Sequence, residues 1–156
     1  MSGNADARGE GLTMRRSLDR VFRLRSLLED VSRVELEARL QELALVEDAL
    51  SRSQEIERDM RGQSFMGITE GRNSDRVESE SLSEWMAWER GVYEKARRRK
   101  ATAVDAAKAE YLERRKECGQ VKSVMEAKLS AVAIVRSRRE QRELDDWFGQ
   151  RSKSNS

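Results

Sequence analysis

The chain has 156 residues, of which 37% are hydrophobic, 5% aromatic and 38% charged, and its formal net charge is +2. This length fits a single domain, but the apolar fraction lies below the roughly 45–50% of ordinary globular domains. It suffices for a seam between helices, where only two or three positions in each heptad are apolar. Disorder is disfavoured, because the net charge is small and the apolar residues recur at regular spacing.

The residue types that are absent or rare in the sequence exclude further structures and functions. The sequence has no proline, which breaks helix interiors, so long uninterrupted helices are favoured. It has no histidine, which excludes imidazole general-base chemistry and histidine-containing metal sites. Its one cysteine, Cys118, cannot form a disulfide within the chain and fits a reducing cytoplasm. We expect Cys118 to be a small packed residue of a helix rather than a nucleophile.

Sequence signals for membrane insertion and for catalysis are also missing. No stretch approaches the roughly 18–20 apolar residues of a membrane span, and the N-terminus lacks the apolar segment of a signal peptide. The sequence contains no glycine-rich phosphate loop, no HExxH and no CxxC motif. Acid–base catalysis needs a shielded pocket, which two paired helices do not enclose. We therefore expect a soluble intracellular protein that is not an enzyme and binds neither a metal nor a cofactor.

In chain order, a polar, glycine-rich leader at residues 1–16, expected to be disordered, precedes a predicted helix at residues 17–60. Spacings of three and four residues run through this helix and indicate a coiled-coil seam. The predicted seam consists of Val21, Leu24, Leu28, Val31, Glu35, Ala38, Glu42, Leu45, Ala49, Arg52 and Ile56. A second apolar row lies outside it and consists of Leu36, Leu40, Leu43 and Leu50. This row is either part of a wide core face or a docking stripe for another protein.

Residues 61–81 interrupt the pattern with three glycines and a cluster of serine, asparagine and aspartate, which are turn signals. A second helix is predicted over residues 82–148, followed by a polar tail at residues 149–156 that we expect to be disordered. The clearest seam of this helix consists of Val104, Ala107, Tyr111, Arg114, Cys118, Val121, Met125, Lys128, Val132 and Val135.

These two arms predict an all-α fold, a long antiparallel two-helix coiled-coil hairpin that spans residues 17–148. Folding back at the break buries both seams within one chain, so we expect a monomer. The structural alternative is a parallel dimer of continuous helices, which the glycine-rich break disfavours.

Residues outside the seams are the candidates for contact with other molecules. Trp85 and Trp88 follow the break, and Trp147 and Phe148 lie at the end of the second helix. Aromatic residues are frequent at interface hot spots, but they can also seal the ends of a hairpin. The basic run Arg97–Lys100 indicates either contact with nucleic acid or a solvated helix face. Because a dedicated nucleic-acid binder usually has a larger net positive charge, we favour the solvated face.

Three segments of the sequence share a pattern with a known family. They are Val21–Leu24, the aromatic stretch Trp85–Lys95 and the basic-acidic ending Arg138–Phe148. Through these segments, residues 14–149 resemble the FliJ family of flagellar export proteins. The ending is the most specific part, because that family often ends its second helix with a basic-acidic run, a Leu-Asp pair and an aromatic residue. The glycine-rich leader departs from the family pattern.

The resemblance implies a role in flagellar type III protein export, and hence in motility and chemotaxis. FliJ-like proteins are antiparallel coiled coils similar to the shaft of the rotary ATP synthase γ subunit. The end with both termini enters the central hole of a hexameric export ATPase, a middle face contacts the cytoplasmic domain of the export gate, and the family is linked to recycling of export chaperones. We accordingly expect a cytoplasmic stalk, peripherally associated with the inner-membrane export apparatus and not inserted into the membrane.

Position by position, the resemblance assigns two groups of partner-binding residues. The ATPase-facing group is Phe22, Leu24, Arg138, Arg139, Leu144, Trp147 and Phe148. The gate-facing group is Leu43, Leu50, Trp85, Trp88 and Tyr93. The alternative functions are the stalk of a virulence type III secretion system, a generic scaffolding coiled coil, and nucleic-acid binding through the basic run.

Overall fold

The structure, a computed structural model, describes the backbone of residues 3–69 and 73–154 and the side chains of residues 9, 11–67 and 76–151. It consists of two long helices, α1 (Gly3–Thr69) and α2 (Asn73–Ser154). The two helices pack against each other, which confirms the predicted all-α helical hairpin.

Both helices are longer than the sequence predicted. Helix α1 begins within the leader at residues 1–16 and continues into the predicted break at residues 61–81. Helix α2 begins in the same predicted break and ends within the tail at residues 149–156. A glycine weakens a helix by about 1 kcal/mol relative to alanine, whereas proline, which ends helices, is absent from the chain. The rest of the predicted break, residues 70–72, and the last residues at each terminus, 1–2 and 155–156, lie outside the described residues.

The chain forms two compact units, each with a part of both helices. The terminal unit comprises Met1–Glu29 and Arg114–Ser156, and the central unit comprises Asp30–Glu113. In the terminal unit, Arg25 donates a hydrogen bond to Glu117 at 2.6 Å, and residues 11–19 line one groove together with residues 125–132. Within this unit, earlier residues of α1 therefore lie beside later residues of α2, so the two helices are antiparallel.

The central unit shows the same antiparallel pairing in a fixed register. Lys100 donates a hydrogen bond to Glu42 at 2.9 Å, and Ser53 donates one to Glu89 at 3.2 Å. Between these two pairs the chain advances eleven residues along α1 and goes back eleven residues along α2. The two segments are thus paired in register between these positions, without a bulge in either helix.

The face of α1 that packs in the central unit is not the predicted seam. Val31, Leu45 and Ile56 of that seam are exposed, so the prediction was wrong at these positions. The packed face instead uses the second apolar row: Leu50 is buried, and Leu36 and Leu43 are half-buried, whereas Leu40 remains exposed. The wide-core-face interpretation of this row is therefore the correct one for three of its four leucines.

Charged side chains explain why this less apolar face is used. Glu57 of α1 is only 6% exposed, and Arg90 of α2 donates hydrogen bonds to its carboxylate at 3.1 and 3.3 Å. Arg61, one turn further along α1, also donates to Glu57. A buried carboxylate is unfavourable unless it is paired, so α1 presents Glu57 to an arginine of the opposite helix. The apolar pattern of a single helix does not reveal such pairing.

The predicted seam of α2 is confirmed over most of its length. Val104, Ala107 and Cys118 are buried, and the positions between Tyr111 and Lys128 in this row are half-buried. The Cys118 sulfur lies 3.6 Å from the Ser26 hydroxyl of α1, as expected for a small packed residue. Beyond Lys128 the last two residues of the predicted seam, Val132 and Val135, are exposed, as is every residue from 129 to 151.

The packed face of α1 can be tested by comparing two leucines. Leu50 is 9% exposed and Leu45, which the sequence placed in the seam, is 71% exposed. Leu50→Ala should lower the free energy of unfolding by about 2 kcal/mol, because it removes buried apolar surface and leaves a cavity. Leu45→Ala should change it by less than about 0.5 kcal/mol. Urea unfolding followed by circular dichroism measures both. A larger loss for Leu45→Ala would contradict this packing.

The pairing of Glu42 with Lys100 predicts a specific pH dependence. The hydrogen bond and the charge of Lys100 lower the pKa of Glu42 below its ordinary value of 4.5, and Arg39 adds to this effect. A lowered folded-state pKa stabilises the fold above pH 4.5, and this contribution is lost as the pH falls through the folded-state value. Glu42→Gln should therefore be less stable than the wild type at pH 7, and the difference should shrink below pH 4.5.

The same unfolding measurement at pH 7 and pH 3 tests this dependence. Glu47→Gln, the same substitution at an exposed position of α1, controls for the loss of one negative charge. Equal effects of the two substitutions at both pH values would show that the pair with Lys100 contributes nothing.

Candidate partner-binding surfaces

The end of α2 in the terminal unit carries a cluster of exposed apolar side chains. Leu144, Trp147 and Phe148 are between 51% and 61% exposed. The rings of Trp147 and Phe148 meet edge to face with their centroids 4.9 Å apart, and the Arg151 guanidinium lies 5.1 Å from the Trp147 ring centroid. Edge-to-face rings and a stacked arginine hold these side chains in place at the surface. We call this apolar cluster, Leu144, Trp147 and Phe148, the terminal patch.

Charged residues along the preceding turns pair within the helix. Arg136 donates to Glu140 and Arg139 donates to Glu143, each at 2.9 Å. Glu140 and Glu143 also border the shallow depression beside Leu144. Exposed pairs of this kind contribute only about 0.3–0.5 kcal/mol, so either partner can rearrange to meet a ligand. Of the predicted arginines, Arg138 is exposed as well.

The other two residues of the predicted ATPase-facing group lie far from the terminal patch. Phe22 is half-buried and Leu24 is exposed. They lie close to Ser26, which contacts Cys118, and 29 residues of α2 separate Cys118 from Trp147. At 1.5 Å per residue this is roughly 40 Å, so Phe22 and Leu24 do not form one continuous surface with the terminal patch.

The terminal unit also has a groove that the sequence did not predict. It has a volume of about 780 Å³ and lies between residues 11–19 of α1 and residues 125–132 of α2. Its apolar lining includes Leu12, Met14, Leu18, Met125, Leu129 and Val132. The groove was missed because residues 1–16 were expected to be disordered. The signal that could have found it is the apolar spacing Leu12, Met14 and Leu18 within a stretch that contains no proline.

The predicted gate-facing group divides into exposed and packed residues. Trp85 and Trp88 are exposed, as a binding surface requires. Leu50 is buried, and Leu43 and Tyr93 are half-buried in the packing of α1 against α2. Leu50 is therefore a core residue, and the expectation that it lies at the surface was wrong. The two tryptophans flank the buried Met86, which anchors their stretch of α2 to α1.

The basic run of α2 presents three exposed arginines, Arg97, Arg98 and Arg99. Lys100, at its end, pairs with Glu42 of α1 and so takes part in the packing of the helices. Within the described parts of the chain, no group of three or more cysteine, aspartate and glutamate side chains is arranged to hold a metal ion. Neither described helix contains a segment long and apolar enough to cross a membrane.

Comparison of the chain with models of protein families, with curated proteins and with solved structures found no match.

The terminal patch predicts a double variant with almost unchanged stability. Trp147→Ala combined with Phe148→Ala removes two rings that are more than half exposed, so the free energy of unfolding should fall by less than about 0.5 kcal/mol. Chemical unfolding followed by circular dichroism measures the change. A loss as large as that of Leu50→Ala would mean that the two rings stabilise the fold rather than remain available for a partner.

Proposed function

We propose that the protein is a stalk of a type III protein export apparatus, which couples a hexameric export ATPase to the export gate. The observation that carries this proposal is the terminal patch. Exposed Trp and Phe side chains are frequent at interface hot spots, and Trp147 and Phe148 are both more than half exposed. They stand near the end of α2, where every residue from 129 to 151 is exposed.

A helix end of this kind suits insertion into a ring of subunits. A coiled coil provides a stiff element, and the exposed residues at its end offer apolar contacts together with charges of both signs. In this proposal Leu144, Trp147 and Phe148 contact the ATPase, assisted by Arg138 and Arg139. Phe22 and Leu24 form a second, separate contact about 40 Å further along the helix.

The export gate is assigned to the exposed tryptophans of the central unit. Trp85 and Trp88 lie three residues apart on α2, so they share one side of the helix and can enter a common pocket of a partner. The handling of export chaperones and a cytoplasmic, membrane-peripheral location belong to the same proposal. The stalk of a virulence secretion system fits these surfaces equally well, because it requires the same contacts.

Crossed pull-downs test the two assignments. Trp147→Ala with Phe148→Ala should reduce capture of the export ATPase encoded by the same organism at least tenfold, because hot-spot side chains contribute 2 kcal/mol or more. The same variant should capture the cytoplasmic domain of the export gate as the wild type does. Trp85→Ala with Trp88→Ala should show the opposite behaviour.

Each double variant is the matched control of the other, since both remove two exposed aromatic side chains. Equal capture of the ATPase by the wild type and the Trp147–Phe148 variant would reject the stalk assignment. A deletion strain that swims and secretes normally would leave the generic scaffolding coiled coil as the remaining function.

A further inference from the structure

A regular row of exposed residues on α1 lies on the outside of the central unit and shares Val31, Ala38 and Leu45 with the seam predicted from the sequence. Val31, Val34 and Leu45 are between 60% and 71% exposed, and Ala38 between them is exposed as well. These residues follow the spacing of a coiled-coil seam, with Gln41 at the intervening position. We call this set, Val31, Val34, Ala38, Gln41 and Leu45, the outer row. Such spacing is typical of a surface that packs against a further helix.

The outer row points away from α2. On a helix with 100° per residue, its centre lies about 160° from the centre of the face that contains Leu36, Leu43 and Leu50. The two apolar faces therefore do not merge, and burial of one leaves the other open. Exposed apolar rows along a helix are characteristic of interaction surfaces.

The charges beside the outer row identify its partner. Residues 30–48 contain six acidic residues and two basic ones, Arg33 and Arg39. Four of the acidic residues occupy the positions that flank a coiled-coil seam: Asp30, Glu35, Glu37 and Glu42. Both basic residues pair with acidic neighbours of their own helix, since Arg33 lies 3.1 Å from Asp30 and Arg39 lies 3.8 Å from Glu35. Glu42 also pairs with Lys100 of α2 at 2.9 Å, so six acidic and three basic side chains lie around the row, which is still bordered by net negative charge although the whole chain has a net charge of +2.

We propose that the outer row binds an amphipathic helix of another protein that has apolar residues at its seam positions and lysine or arginine at the flanking positions. Flanking charges select coiled-coil partners, because like charges across the seam are repelled. The same segment of a second copy would place acidic residues against acidic residues. An anionic lipid surface would be repelled for the same reason. The small Ala38 at the centre of the row leaves space for a larger side chain of the partner. This inference does not depend on the proposed export function.

Two synthetic helices test the inference. Each has 28 residues with leucine at the seam positions; one has lysine at all flanking positions, and the other has glutamate there. Binding to the full-length protein is measured by fluorescence anisotropy of the labelled peptide at low and at high salt. The lysine peptide should bind at least tenfold more tightly than the glutamate peptide, and this preference should weaken at high salt.

Substitutions in the protein locate the binding site. Leu45→Ser with Val34→Ser should weaken binding of the lysine peptide at least tenfold. Val77→Ser is the matched control, because Val77 is 66% exposed on α2 and lies outside the row. Glu35→Lys with Glu37→Lys should reverse the preference toward the glutamate peptide. All these positions are exposed, and circular dichroism verifies that each variant folds.

Three results of the peptide experiments would overturn the proposal. They are equal binding of the two peptides, binding of neither peptide, and binding that Leu45→Ser with Val34→Ser leaves unchanged. Sedimentation velocity of the protein alone is the remaining check. A dimer that dissociates on Leu45→Ser substitution would show that a second copy occupies the row, which also overturns the proposal.

Discussion

Ionic pairing across a thin interface determines how this hairpin is packed. Glu57 is held by Arg90, Glu42 by Lys100, and Arg25 by Glu117, and each pair joins α1 to α2. Two helices bury little apolar surface, so the orientation of α1 is decided by where its charged residues find partners. Once Glu57 faces Arg90, Leu50 faces inward and Leu45 faces outward. The exposure of Val31 and Ile56 on α1 belongs to the same rotation of this helix.

A two-helix fold leaves much apolar surface uncovered, and this remainder is what a partner can recognise. In the terminal unit, exposed apolar surface lies at the terminal patch and in the apolar groove. In the central unit it lies along the outer row and at Trp85 and Trp88. They differ in chemistry, because the terminal patch combines aromatic rings with charges of both signs, whereas the outer row is aliphatic with acidic borders. Surfaces of such different character are suited to different partners.

The sequence was informative where one physical signal dominated and misleading where two competed. The absence of proline and the heptad spacing were enough to predict two helices, and the row through Val104 and Cys118 was correct because its packed positions are mostly apolar. On α1 the apolar count favoured the wrong face, since the correct face contains Glu57 and other polar residues whose partners belong to the opposite helix. The helices extend further than the sequence predicted because glycine and small polar residues weaken a helix without ending it as proline does. The exposure of Trp147 could be predicted, because it lies beyond the packed positions of α2. The burial of Leu50 could not, because it depends on which face of α1 packs against α2.

The position of Cys118 has a practical consequence for the motion of the hairpin. Its sulfur is enclosed between α1 and α2 beside the Ser26 hydroxyl, and it is the one thiol in the chain. A thiol reagent can reach such a sulfur only when the two helices separate locally, so the labelling rate is set by the frequency of that opening. The wild-type chain therefore contains its own kinetic probe of helix separation. The probe lies in the terminal unit, so it would register whether engagement of the helix end loosens or tightens the coiled coil beside it.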